Sequence, residues 1–389
     1  SEKAGRTMEG VGNIINNFGS RIFHSIEDNP LKMIENAFQS LSVQEQRKIE
    51  QDKYGGEDPL EENTAFVNEK LDDLDREIDR LSVNIKKAYT EAIQQEIERT
   101  GAAEVAAAVE RCQSNLDEKA VQGTEDQREE DRKECKSEES IASGEDYVRS
   151  KGFRLMFLRA NEFNARMAAR RITRYFKDKK ELFGVEKLAS RITQRDLSET
   201  DKEIISSGCC GITGATDIYG RVILFFRRNK TDNFPVVNLR RSSLYLFNIL
   251  EYHEDWQQKG VVVMSDNRDM GLPNPASERR LYPLFRSFLH ALPFRFVSAH
   301  LCYNNNKNFQ FFLKLALVIP PTTAKARMQS HYGQTSRELF ACLLAHGVNL
   351  DSLPLSTEWE FRREPFENFL NNCRQQEDSS REDYSWLTK

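Results

Sequence analysis

A short apolar segment late in the chain constrains the fold more than any other feature. It follows a predicted strand at 295–303 and three consecutive asparagines, and it is predicted to form a helix from Phe309 to Ile319 that stops at Pro320-Pro321. A helix that is apolar almost all round must be buried or must touch lipid. At about a dozen residues it is too short to span a bilayer, which needs roughly 20. The segment is therefore either a buried core helix or a lid over an apolar cavity.

Composition limits the classes of protein to which the chain can belong. Its 389 residues have room for two or three domains, but a hydrophobic content of 39% is low for one large core. The net charge of −5 argues against nucleic-acid binding. Seven scattered cysteines without Cys-x-x-Cys spacing favour a reducing compartment. The sequence has no membrane-span run and no signal peptide, which predicts a cytoplasmic protein. Because residue 1 is Ser rather than Met, the alternative that a targeting segment has been removed from the N-terminus stays open.

Residues 1–116 are predicted to form a helical region. Asn29-Pro30 is typical of a helix start. Within 64–95, apolar residues recur at alternating steps of four and three, as in a coiled coil. These residues are Val67, Leu71, Leu74, Ile78, Leu81, Ile85, Ala88 and Ala92. Self-association, a partner helix, or packing on residues 101–116 would each bury this seam, and the sequence does not choose among them.

Residues 117–146 are rich in charged and small polar residues, which predicts a disordered linker. The next segment is strongly basic. Within it, Arg166, Arg170 and Arg174 are four residues apart and share a helical face. That face is either a solvated surface or a patch for anionic lipid headgroups, where each cation contributes about 1 kcal/mol.

From residue 206 onward, predicted strands and helices alternate. Strands are predicted at 221–226, 261–266 and 295–303, and helices at 239–257 and 277–291. This alternation indicates βαβ units and a mainly parallel sheet. Gly208, Gly211 and Gly214 lack the G-x-G-x-x-G spacing of a nucleotide-binding loop, so they are predicted to form a turn.

No motif predicts catalysis or metal binding. The six histidines are scattered, and none has metal-ligand spacing. His300 is predicted to share a strand face with Ser298 and Cys302, where packing is favoured over a nucleophilic pair. Asp266 ends a buried strand and is equally suited to contact a ligand or to cap a loop. We therefore expect no enzymatic activity, no catalytic residue and no metal.

Five segments carry a recognisable series of motifs. They are Phe153 to Gly184 with its Phe157-Leu158-Arg159-Ala160, Asp217-x-x-Gly220-Arg221-Val222-Ile223, Val261 to Asp266, Leu292-Pro293-Phe294-Arg295 with the strand and apolar helix that follow, and Leu339 to Pro354. In this order they resemble the CRAL-TRIO lipid-binding family, over roughly residues 148–360. The chain departs from the family at Val222, where Pro is usual, and after Pro354, where the usual Gly-Gly is absent. The residues that bind a phosphoinositide headgroup in the family have no recognisable counterpart in this chain either, so phosphatidylinositol as the ligand is not implied.

The resemblance implies an all-α N-terminal lobe at 147–205, a lipid-binding domain at 206–372 and a flexible tail at 373–389. It implies a pocket with the sheet as its floor and 309–319 as its gate. The ligand would be a lipid or other small hydrophobic molecule, with no cofactor, which the protein transfers or presents at an anionic membrane surface.

The predicted pocket residues are Leu224, Phe226, Val263, Phe296, His300, Phe309, Phe312 and Leu317, and the predicted membrane patch is Arg166, Arg170 and Arg174. The alternative function is a non-catalytic scaffold. Such a scaffold would act through homo- or hetero-oligomers formed by residues 64–95.

Overall fold

The computed structural model describes residues 30–54, 62–101, 147–231, 233–268, 290–304 and 322–379. Within them, five strands form one sheet whose spatial order follows the chain. They are β1 (Cys210–Thr216), β2 (Val222–Arg227), β3 (Val261–Asp266), β4 (Phe296–Tyr303) and β5 (Met328–Tyr332). Strand β1 is antiparallel to β2, and the other neighbouring pairs are parallel. The chain therefore has the predicted α/β class and mainly parallel sheet.

Helices flank the sheet on both faces. In chain order they are α1 (Pro30–Gln39), α2 (Val43–Tyr54), α3 (Thr64–Arg80), α4 (83–101), α5 (Lys151–Ala160), α6 (Ala165–Phe183), α7 (Glu199–Ser206), α8 (Val236–Asn248), α9 (Glu254–Lys259), α10 (Thr322–Ala326), α11 (Ser336–Leu344) and α12 (Glu364–Ser379). Shorter helical turns lie at Val185–Lys187, Gln194–Asp196, Arg228–Thr231, Ile249–Tyr252 and Leu350–Ser352. Among the described helices, none has the length and apolar character needed to cross a bilayer.

Strands β2, β3 and β4 lie where the sequence predicts them. Strands β2 and β3 are apolar throughout most of their length, which is typical of parallel strands with helices on both faces of the sheet. One face carries α11 and α12. Its side chains Ile223, Phe225, Met264 and Cys302 are at most 1% exposed. We call this face the closed face.

The opposite face of the sheet joins a larger core. There Val222, Leu224 and Val261 pack with α6 and α8, and the same core continues into α3 and α5. Adjacent residues of one strand thus belong to different cores, as the alternation of side chains in a strand requires.

The prediction of a turn over Gly208, Gly211 and Gly214 is wrong for most of that segment. Gly208, with φ of +66°, lies in the turn after α7, but strand β1 begins at Cys210. A Cβ on Gly211 would lie 2.2 Å from the ring of Phe366 in α12. Glycine in a strand often marks the close approach of another element. That approach comes from a distant part of the chain, so the local sequence does not reveal it.

The heptad segment forms two helices rather than one. Helix α3 ends at Arg80, Leu81 is extended with ψ of 144°, and α4 begins at residue 83. The buried face of α3 packs against α5 and α6 and consists of Val67, Leu71, Leu74 and Ile78. The α3 part of the seam is therefore covered by residues 151–183 of the same chain, a partner that the heptad pattern does not specify, whereas Ile85 of the α4 part is 53% exposed. Association between chains through 64–95 stays a prediction.

Two further boundaries differ from the expectations. The helix predicted over 239–257 is divided into α8, a helical turn at Ile249–Tyr252 and α9, because His253 leaves the helical conformation. Helix α12 continues to Ser379, into the segment predicted as a flexible tail from 373. The predicted linker at 117–146 lies outside the described residues.

Candidate apolar binding site

An accessible apolar surface lies on the sheet face that carries α8. Its side chains come from four neighbouring strands and are only partly buried: Phe226, Val263, Phe296, Leu301, Tyr303 and Met328. We call this surface the floor. Parallel sheets are normally covered on both faces. Partly exposed apolar side chains in the inner strands β3 and β4 therefore mark a candidate cleft above them.

The strand register shows that the floor is continuous. Val263 pairs with Leu224 of β2 on one side and with Ala299 of β4 on the other. Ala299 pairs in turn with Met328 of β5. Paired residues of neighbouring strands point to the same face. An apolar molecule lying across the strands would therefore meet side chains of β2, β3, β4 and β5 in succession.

One polar group on the floor has an unused hydrogen-bonding capacity. Ser330 of β5 pairs with Leu301, and its hydroxyl is buried without a hydrogen-bond partner. A buried hydroxyl that makes no hydrogen bond destabilises the fold by about 1–3 kcal/mol. Ser330 Oγ is therefore an unsatisfied polar atom at the β5 end of the floor, enclosed by its neighbours in this conformation.

The structure places the predicted pocket residues that it describes on both faces of the sheet rather than on one. Phe226, Val263 and Phe296 belong to the floor, and Leu224 lies on the same face of the sheet but is buried, at 7% exposure. His300 does not belong with them, because it pairs with Met264 on the closed face. Phe309, Phe312 and Leu317 lie outside the described residues.

A bulge in β4 explains the error on His300. Val261 pairs with Phe296 but Val262 pairs with Ser298, so Val297 is an extra residue in β4. Such an insertion reverses the alternation of side chains beyond it. Phe296 and His300 are four residues apart and would otherwise share a face, which is the assumption that the sequence prediction makes.

The structure brings three of the scattered histidines together on the closed face. His300, His331 and His346 form a triangle whose ring centroids are 5.1, 5.1 and 5.4 Å apart. His300 Nδ1 and His331 Nε2 are 2.8 Å apart, and the Ser298 hydroxyl lies 3.4 Å from His300 Nε2. We call these three residues the histidine cluster. The sequence analysis missed it, since the pairing of the short strand β5 with β4 is not evident from local pattern.

Burial is the largest cause that lowers the pKa of all three imidazoles, and neighbouring histidines lower the pKa of His300 and His331 further. The pKa of His331 falls to about 4. The cluster is therefore neutral at pH 7. Among the described residues, no group of three or more His, Cys, Asp or Glu side chains is arranged to hold a metal ion.

The residues weighed for catalysis have structural contacts. Burial raises the pKa of the Cys302 thiol well above its usual range, which makes it a poor nucleophile. Asp266 accepts hydrogen bonds from the backbone N–H and from Nε of Arg268, at 3.3 and 3.0 Å. Of the two roles considered for Asp266, capping its own loop is the one that these contacts fit.

The predicted membrane patch is accessible. Arg166, Arg170 and Arg174 are all exposed along α6, and we call them the basic stripe. Arg171, on the inner side of the helix, donates instead to the carbonyl of Leu292 at 2.6 Å. Burial, followed by the charge of Arg174, lowers the pKa of Arg171 to about 10.

A polar cleft adjoins one end of the basic stripe. Arg166 lines it together with Asp73 and Glu77 of α3. These carboxylates reduce the positive potential there, so Arg170 and Arg174 are the better placed of the three arginines to meet an anionic surface.

No model of a known protein family matches the chain, and no curated protein matches it in sequence.

Proposed function

We propose that this protein is a divergent member of the CRAL-TRIO family that binds a lipid or another small hydrophobic molecule on the floor. It would transfer or present this ligand at a membrane surface and would have no enzymatic activity of its own. The observation that carries the proposal is the partly exposed apolar surface at the centre of a parallel sheet, formed by Phe226, Val263 and Phe296 with their neighbours.

Burial of an apolar ligand on the floor would supply enough binding free energy for such a function. Each methylene removed from water contributes about 0.8 kcal/mol. A chain of about ten methylenes on the floor would contribute about 8 kcal/mol, which corresponds to a micromolar dissociation constant before the cost of ordering the ligand. A gate at 309–319 would enclose the ligand further; those residues lie outside the described ones, and the gate stays a prediction.

Filling the cleft tests the ligand site. Val263→Phe places a ring above the floor and is expected to reduce uptake of a fluorescent phosphatidylcholine from neutral vesicles by about 10-fold, or about 1.4 kcal/mol. Val83→Phe is the matched control, because Val83 is 75% exposed on α4. Equal uptake by the two variants would contradict the site.

The basic stripe supports docking on anionic membranes. At about 1 kcal/mol for each cation, replacing its three arginines by Gln should weaken binding to phosphatidylserine vesicles by about 100-fold. The matched control replaces three exposed basic residues elsewhere, Lys87, Arg99 and Arg337. If both triple variants bind these vesicles equally, the membrane is not recognised through α6.

A further inference from the structure

Helices α1 and α2 reach the amino-terminal edge of the sheet through a buried carboxylate. Asp52, near the end of α2, is 6% exposed. Its Oδ1 accepts a hydrogen bond from Arg295 Nη1 at 3.3 Å, and its Oδ2 accepts one from Arg327 Nη2 at 2.6 Å. Arg295 directly precedes β4, and Arg327 directly precedes β5. One side chain of α2 is thus bound at the start of two neighbouring strands.

The backbone of α2 is held at the same place. Arg221, directly before β2, donates to the carbonyl oxygens of Asp52 and Lys53. The last carbonyls of a helix have no partner within it and carry partial negative charge, so a cation stabilises them. Arg221 also forms an ion pair with Asp217 at 2.6 Å, which fixes its orientation.

Apolar packing of these two helices is limited. Of their described apolar residues, Ala37 and Ile49 are buried, whereas Leu31, Val43 and Tyr54 are more than half exposed. Among the residues that the structure describes, these helices form one further ion pair, Lys48 with Glu162 at 2.7 Å, which is more than one third exposed at both ends and contributes little. The attachment of α1 and α2 therefore combines limited apolar packing with the buried charges around Asp52.

The other end of the same unit lies on the floor. Met33 and Ile34 of α1 pack against Leu301, Tyr303 and Met328, at the β5 end of that surface. All five side chains are only partly buried. Helix α1 thus covers apolar surface that a ligand would also use.

We propose that α1 and α2 form a strap across the floor, latched by Asp52, and that release of this latch uncovers the β5 end of the floor and admits the ligand. The proposal rests on the proposed function and names the regulation of the same site. Removing one partner of a buried ion pair leaves the other charge uncompensated, so loss of the Asp52 charge should favour the released state.

The test compares Asp52→Asn with Glu50→Gln in the full chain. Glu50 lies on the same helix and is exposed, and it provides the same change of charge. Asp52→Asn should accelerate uptake of fluorescent phosphatidylcholine from neutral vesicles by about 10-fold or more. It should also raise hydrogen exchange of α1 and α2 amides by about 100-fold, while amides of β3 keep their protection. Glu50→Gln should match the wild type in both measurements.

A second variant separates a latch from a general loss of structure. Arg327→Gln removes one of the two arginines bound to Asp52 and should open the strap in the same direction as Asp52→Asn. The double variant should exchange no faster in α1 than Asp52→Asn alone, because that variant already removes the contact with Arg327. Unchanged uptake by Asp52→Asn, or equal acceleration of exchange in α1 and β3, would overturn the proposal. If neither the wild type nor any variant takes up the probe, the proposed function fails. There is then no ligand entry for the strap to regulate. Faster exchange confined to α1 and α2 would still show the latch itself.

Discussion

The two faces of the sheet are built from the same strands and similar apolar residues, yet they are covered to different extents. On the closed face, Phe225 and Met264 are completely buried. Their neighbours Phe226 and Val263, one residue away, remain partly exposed on the floor. Apolar burial contributes about 25 cal/mol for each Å², so the floor leaves part of this stabilisation unused. The comparison indicates that these side chains of the closed face contribute more to the stability of the fold than their neighbours on the floor, which is what the proposed ligand site requires.

Truncating one residue on each face tests this comparison and should give the largest effect. Met264→Ala leaves a cavity in the closed face and should lower the free energy of unfolding by about 2–5 kcal/mol. Val263→Ala removes atoms that are already partly exposed and should lower the free energy of unfolding by about 1 kcal/mol or less. Urea unfolding of both variants measures the difference. Equal losses would show that the two faces are packed alike.

The histidine cluster makes the closed face sensitive to acid. An unfolded histidine has a pKa of about 6.5, whereas His331 has a folded pKa of about 4. The unfolded chain therefore binds the proton first, and stability is lost as pH falls from about 6.5 towards 4, by up to about 3 kcal/mol. His331→Asn should make the fall in unfolding free energy over this range smaller. A fall of the same size in the variant would mean that the ring is not buried in its neutral form.

Glycine substitutions probe the packing of the closed face more finely. Gly211→Ala places a methyl group against Phe366, which is completely buried, so the ring or the strand must shift. We expect a loss of about 1–3 kcal/mol. Gly152→Ala is the matched control in α5, where no atom lies within 4 Å of the added carbon. It should raise stability by about 0.5–1 kcal/mol, and thermal unfolding of both variants gives the comparison.

The parts of the fold that the sequence predicts are those determined by neighbouring residues. Strands β2 and β3 follow from continuous apolar runs, and the start of α1 at Pro30 follows from local chemistry. That Phe226 and Val263 lie on one face of the sheet follows from the alternation of side chains along these two strands. The basic stripe follows from a spacing of four in α6.

The parts that the sequence does not predict depend on contacts between distant segments. Strand β1 contains Gly211 because Phe366 packs against it. His300 lies on the closed face because a bulge shifts β4 at Val297. Asp52 meets Arg295 and Arg327, more than two hundred residues away in the chain, and only the assembled sheet brings them together. Periodicity carries no information on such contacts.

The central claim is that the floor holds an apolar ligand, and mass spectrometry of organic extracts from the natively purified chain tests it most directly. The account predicts a lipid or other small hydrophobic molecule at about one per chain, and a marked loss of it in Val263→Phe but not in Val83→Phe. A chain that yields no such molecule and that also takes up none from vesicles would contradict the account.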